Sequence, residues 1–305
     1  MGKANQWDAD WEISDELVGQ LIDSQFPELG SKRIKRLGNG WDNTVYQIGD
    51  EYVFRFPRRT IAVDLIKMEG QLLPKLAEYV TIPYPKPLFY GKETAEYPVP
   101  FLGYHYVTGE FPLGVADEQR ALSAAALGRF LKQLHSFPTQ LARESGAPHD
   151  HRRLRDIATR KEKMEKFYSD LSPHMREEER RAMTAYLNQV VQPKALPQSD
   201  VFLHGDLHFK NMLVDERGRV SGIIDWGDMN VGHPAGDVSV AYSFLPPQAR
   251  SAFFAAYGEV DETTKQLARM MAIYIPMLIW MQAIDDGDEK VAEEARATIN
   301  RALAD

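Results

Sequence analysis

The sequence contains no cysteine, which excludes a disulfide framework, a thiolate zinc site and a cysteine nucleophile. It also lacks an excess of positive charge. Lys and Arg number 36 against 44 Asp and Glu, for a net charge of −8, and this argues against a protein that binds nucleic acid by neutralising phosphates. No Walker A pattern occurs anywhere in the chain, which removes P-loop kinases from consideration. Long apolar runs are missing too. The longest, Ala272 to Ile284, is broken by Pro276 and Gln282, is too short to span a bilayer, and reads as a buried, kinked helix. Residues Met1 to Trp11 are polar and acidic, without the apolar core of a signal peptide. These absences predict a soluble, cytoplasmic protein with no membrane and no nucleic-acid partner. Oligomeric state is not legible.

What is present is an ordinary globular composition of 305 residues, 44% hydrophobic and 26% charged, enough for two domains. The first third reads as strands: Arg33 to Leu37, Thr44 to Ile48 and Tyr52 to Phe56, the last two joined by a hairpin at Gly49-Asp50. A helix follows with Ile61, Leu65, Ile66, Leu72, Leu73 and Leu76 at helical spacing, then strands over Pro87 to Tyr90 and Phe101 to Val107. This predicts an α+β lobe of five strands and one helix over residues 1–107. From 108 to 305 the character changes. Asp117 is placed to cap a helix running to His135, and Arg152 to Leu171 and Arg176 to Val191 read as charged helices. Pro193 and Pro197 introduce short strands at Val201 to Leu203, Met212 to Val214 and Val220 to Ile224, and from Gly236 the pattern is helical to the end. The fold class expected is α+β, with a strand-rich first lobe and a mostly helical second one.

The most informative segment is Leu203-His204-Gly205-Asp206-Leu207-His208-Phe209-Lys210-Asn211-Met212-Leu213-Val214. A strand enters a tight loop that delivers Asp206 and Asn211, and a second strand ends in Asp225-Trp226. Phosphoryl transfer needs positioning and charge neutralisation more than covalent help from the protein. A carboxylate must accept the proton of the acceptor hydroxyl. An amide oxygen and a second carboxylate must hold Mg²⁺, a hard cation that prefers oxygen. Asp206, Asn211 and Asp225 are those three groups, at the ends of short strands where a rigid scaffold presents side chains. Any one of them alone reads as a turn or cap residue. It is the ordered set that is specific.

That run resembles the catalytic loop of the aminoglycoside phosphotransferase family, itself similar to the catalytic elements of protein kinases. The resemblance implies a kinase-like fold with a nucleotide cleft between its lobes, Asp206 as base, and Asn211 and Asp225 as Mg²⁺ ligands. Gly232-His233-Pro234-Ala235-Gly236-Asp237 and Leu134-His135-Ser136-Phe137-Pro138 are similar to further family segments. They imply that Asp237 braces the loop and that His135 is a packed structural residue. Leu37-Gly38-Asn39-Gly40-Trp41-Asp42-Asn43-Thr44 looks like the phosphate-covering loop, with Gly38, Gly40 and Asn43 nearest the nucleotide, although Asn43 stands where a third glycine is expected. In Phe54-Arg55-Phe56-Pro57-Arg58-Arg59, Arg55 stands in the place of the usual phosphate-binding lysine, with Glu69 as its partner. Strand alternation turns Arg55 away from Phe54 and Phe56. This combination most resembles the macrolide and aminoglycoside 2″-phosphotransferase branch, which implies ATP or GTP as donor and an antibiotic hydroxyl as acceptor. The purine is expected along Tyr104, Tyr106 and Val107. For a hydroxylated amine as acceptor, the candidates are Asp285 and Asp286 as carboxylates and Tyr274 and Trp280 on an apolar helix. Both groups also have a plain reading, as a solvated turn and as core.

Two other functions stay open at the sequence level. One is a metabolic kinase of the same fold, acting on choline, homoserine or a sugar. The other is a nucleotide-binding pseudo-enzyme, which the intact Asp206, Asn211 and Asp225 set disfavours because such a module has no need of a base.

Overall fold

The computed structural model describes residues 9–40, 42–150, 154, 156–190 and 200–304. Alternating apolar residues build its first part. Strands β1 (Ile34–Asn39), β2 (Asn43–Ile48), β3 (Tyr52–Pro57), β4 (Pro87–Gly91) and β5 (Phe101–His105) form one antiparallel sheet in the order β1-β2-β3-β5-β4. Tyr46, Ile48, Phe54 and Phe56 point to one face and are fully buried. A helix missing from the sequence-based expectation covers that face. Helix α1 (Asp15–Gln25) starts where the Ser14 hydroxyl accepts from Leu17 N–H, and it adds Val18, Leu21 and Ile22 to the same core. Helix α2 (Thr60–Leu72) lies where expected, and Ile66 and Leu72, with Leu73 and Leu76 just beyond it, are buried as expected. Ile61 is exposed, while Ala62, Met68 and Glu69 are buried. Strand β5 stops at His105, opposite Tyr52 at the start of β3, rather than reaching Val107.

One compact unit takes the described residues up to Glu78 with Pro83–Thr108, and a second takes Tyr79–Ile82 with Gly109 onward. In the second unit the single helix expected from Asp117 is two, α3 (Asp117–Ala121) and α4 (Ala124–His135). The break frees the Ser123 hydroxyl to accept from Val220 N–H at 2.9 Å, and Arg120 turns inward to Glu294 at 2.8 Å. Then follow α5 (Thr139–Glu144), α6 (Ile157–Leu171), begun by an Asp156 cap, and α7 (Glu177–Gln189). The expected helix limits Arg152 and Val191, the Pro193 and Pro197 break, Trp41 and the first residues of the Met1 to Trp11 stretch lie outside the described residues.

Two short ribbons carry the site. Strand β6 (Val201–Leu203) pairs with β9 (Asn230–Gly232), and β7 (Met212–Val214) pairs with β8 (Val220–Ile223). Strand β9, only three residues beside turn-forming sequence, was not expected. Helices α8 (Ala235–Val238), α9 (Val240–Ser243), α10 (Arg250–Tyr257), α11 (Glu262–Asp286) and α12 (Glu289–Leu303) complete the unit. Helix α11 carries Pro276 in its interior and, at 25 residues, is long and apolar enough by length and composition to cross a membrane, unlike the shorter run visible in sequence. Its most apolar window is 61% buried against its own unit, so it serves here as a core helix.

Candidate active site

The loop from β6 to β7 can adopt its path only with glycine at 205. Gly205 has φ +86°, and a Cβ there would meet Asp228 O at 2.2 Å. Its neighbours hold it from two sides. The fully buried Asp237 carboxylate accepts from His204 N–H at 2.8 Å and Gly205 N–H at 3.0 Å, which is the brace the sequence suggests. His204 accepts from Asp206 N–H on Nδ1, so its proton sits on Nε2 and donates to Ile224 O at 3.0 Å. That bond ties the loop to the chain entering Asp225. Behind Asp237, His135 lies 3.3 Å away through Nε2, and the Tyr257 hydroxyl donates to its Nδ1 at 2.7 Å. Burial, with the Asp237 charge adding to it, pushes the Tyr257 phenol up, so Tyr257 stays a donor. His135 is thus a buried bracing residue.

Asp206 and Asn211 are brought together directly. Asn211 Nδ2 donates to Asp206 O at 2.8 Å and lies 3.3 Å from Asp206 Oδ2. Ile224 N–H donates to Asn211 O at 2.9 Å, extending the β7–β8 ladder by one step and carrying Asp225 to the same end of that ribbon. Asp225 itself has φ +61°, a left-handed conformation that costs a non-glycine residue about 1 kcal/mol and is held only where surrounding structure imposes it.

With Asn211 Nδ2 committed to Asp206, its Oδ1 is the acceptor face of the amide. Asn211 Oδ1 and the Asp225 carboxylate are hard oxygen donors, the chemistry Mg²⁺ requires. No group of three or more His, Asp or Glu placed to hold a metal occurs among the described residues. A two-residue oxygen set still fits an ion that keeps several waters and takes further ligands from phosphates.

In the first unit Arg55 meets Glu69 as the spacing predicts, Nη1 lying 3.0 and 2.9 Å from the two carboxylate oxygens. Tyr104 completes the group, its hydroxyl donating to Glu69 Oε2 at 3.1 Å. Phe54 and Phe56 are buried in the core on the other face of the strand. Gly38 sits at a β-bulge with φ +152° and open space where a Cβ would stand, and Gly40 N–H closes a turn on Asn43 O at 2.8 Å. Asn43 is buried, and its Oδ1 has no hydrogen-bond partner among the described residues.

The expected purine contacts are narrowed. Tyr104 lies inside the sheet, between Val53 and Pro87, with its side chain on Glu69, and Tyr106 N–H is taken by Glu51 O at 2.7 Å. Val107 lies beyond the last ladder pair.

The acceptor candidates divide. Tyr274 and Trp280 are core residues, with Tyr274 packed on Phe167 and under the Arg160 guanidinium, and they offer no open surface. Asp285 and Asp286 are exposed at the last turn of α11, where left-handed Gly287 ends the helix. One residue of the loop was missed. His208 Nε2 lies 3.3 Å from Asp206 Oδ2. A histidine two residues after the candidate base was the available signal.

The sequence pattern of the phosphotransferase enzyme family matches residues 33–272. A Bacillus subtilis (strain 168) protein, the uncharacterized protein YcbJ, is 44% identical over 41 residues, a match that spans 13% of each chain. Among solved structures, the GDP complex of wild-type aminoglycoside 2′-phosphotransferase-IIIa is similar with a TM-score of 0.68 at 22% identity, over 95% of this chain and 99% of that one. The macrolide 2′-phosphotransferase MphH from Brachybacterium faecium is similar with a TM-score of 0.56 at 22% identity, over 89% and 92%. The fold is kinase-like, a strand-rich part followed by a helical one. With the family pattern running through both, the chain belongs to the phosphotransferase enzyme family.

Proposed function

We propose that this phosphotransferase moves the γ-phosphoryl group of ATP or GTP onto a hydroxyl of a small hydroxylated amine, of the aminoglycoside or macrolide antibiotic class. The observation that carries the reading is the braced loop in which Asp206, Asn211 and the strand entering Asp225 are bonded to one another. In the reaction, Asp206 accepts the hydroxyl proton as the acceptor oxygen bonds to phosphorus and the bridging P–O bond breaks, releasing nucleoside diphosphate. Asn211 and Asp225 hold Mg²⁺, which when bound neutralises phosphate charge. Arg55, oriented by Glu69 and Tyr104, holds phosphate oxygens. Backbone N–H groups around Gly38, Gly40 and Asn43 cover the phosphates, and Val107 serves the purine.

Two observations favour a small acceptor over a protein. Asp225 is followed within a few residues by β9 and then, from Ala235, by helix, leaving no long segment for docking a peptide. Similar solved structures include complexes with kanamycin and with gentamicin, and one with streptomycin and ATP. The exposed Asp285 and Asp286 are assigned to the acceptor's ammonium groups. The test is phosphate transfer from labelled ATP and GTP to kanamycin, erythromycin, choline and a serine peptide at matched concentration. Transfer to kanamycin or erythromycin is expected. Preferential labelling of the peptide or of choline overturns the assignment.

A further inference from the structure

Within the loop, His208 is a titratable side chain beside Asp206 to which the proposed reaction gives no task. His208 stands two residues after Asp206, mostly buried, and both its ring nitrogens have defined neighbours. Lys210 N–H donates to Nδ1 at 3.2 Å, which makes His208 the side-chain cap of the single turn Phe209–Asn211. A nitrogen that accepts a backbone N–H carries no proton. The ring is therefore the Nε2-protonated tautomer, and Nε2 faces Asp206 Oδ2 at 3.3 Å. Asn211 Nδ2 also lies 3.4 Å from Nε2, but its short bond goes to Asp206 O at 2.8 Å, so the Nε2 proton is left to the carboxylate.

We infer that His208 is a positioning residue for Asp206. Its Nε2–H, with Asn211 Nδ2, fixes the carboxylate rotamer by donating to Oδ2, while its Nδ1 fixes the turn that carries Asn211. One imidazole thereby sets the distance between base and amide. This inference rests on the assignment of Asp206 as the base.

The two nitrogens can be separated by substitution. His208→Asn keeps an acceptor near the Nδ1 position and loses the reach to Asp206. His208→Gln keeps a donor near the Nε2 position and loses the close cap. For phosphate transfer from GTP and ATP to kanamycin, with acceptor-independent hydrolysis of the same nucleotides as a second readout, His208→Asn is expected to lower kcat about tenfold or more, the scale of a hydrogen bond to a charged group. Both KM values should be unchanged, and His208→Gln should recover most of the loss. Nitrogen-15 NMR of the unliganded protein should show the neutral ring protonated on Nε2. Full kcat in His208→Asn, or a ring protonated on Nδ1, overturns the inference. Asp206→Asn in the same assay separates the two levels. If that variant keeps its turnover, the base assignment itself fails. If it loses turnover while His208→Asn does not, only the role of His208 fails.

Discussion

The two candidate charge centres are built in opposite ways. In the first unit, Arg55 and Glu69 neutralise each other, joined by the Tyr104 hydroxyl, on a strand and a helix with apolar core behind them. In the second, the bonds named above reach the loop's carboxylates from backbone, amide and imidazole groups. The Asp237 carboxylate is matched to backbone N–H groups, and Asp206 to the amide of Asn211 and the imidazole of His208. An ion pair sets a charge at a fixed place. Hydrogen-bond donors of this kind set a geometry around a carboxylate, which suits the proton-accepting role proposed for Asp206.

Breaking the neutral brace should cost most. Asp237→Ala leaves two buried backbone N–H groups without their acceptor and is expected to lose about 4 kcal/mol of stability and most turnover, read by denaturant unfolding and by kcat. Removing the ion pair from one side comes next. Glu69 is 1% exposed, so Glu69→Ala should cost about 3 kcal/mol and weaken nucleotide binding about tenfold, measured by urea melts and by titration calorimetry. An exposed pair of this kind would contribute little to stability, and the burial of Glu69 is what raises the cost.

An ion cluster also exists in the second unit, so the contrast is one of chemistry rather than of location. Burial raises the Glu179 carboxyl, but hydrogen bonds from Arg296, Arg176 and Asn300 outweigh it and hold the group down at about 2. Its folded value lies below its unfolded one, so its contribution is complete above pH about 4.5 and is lost as pH falls through about 2. That contribution is about 3 kcal/mol. Acid unfolding of Glu179→Gln should show a correspondingly shallower loss across that window. The smallest effect is expected from Tyr104→Phe, which removes one hydrogen bond from Glu69 for about 1 kcal/mol and leaves the Arg55 pair in place.

The parts legible in sequence were those whose cause is local. Strands β2 and β3 follow from alternation, and the Arg55–Glu69 pair from a strand followed by a helix. The loop from His204 to Asn211 is a contiguous run, and Asp237 was reached through a second such run. What escaped depends on distant partners. Helix α1 is rich in polar residues and shows its apolar side only against the sheet, although Ser14 followed by Asp15 and Glu16 was an available start signal. Arg120, inside α3, reaches Glu294, a partner 174 positions away that no local pattern announces. Ile61 kept the helical spacing yet is exposed, while the neighbouring Ala62 is buried.

The central claim is that Asp206 is the proton acceptor of a phosphotransferase. The most direct measurement is single-turnover phosphate transfer by Asp206→Asn beside the parent protein, with thermal unfolding of both. The account predicts a rate lower by at least ~100-fold at unchanged nucleotide affinity and melting temperature. Transfer at close to the parent rate contradicts it.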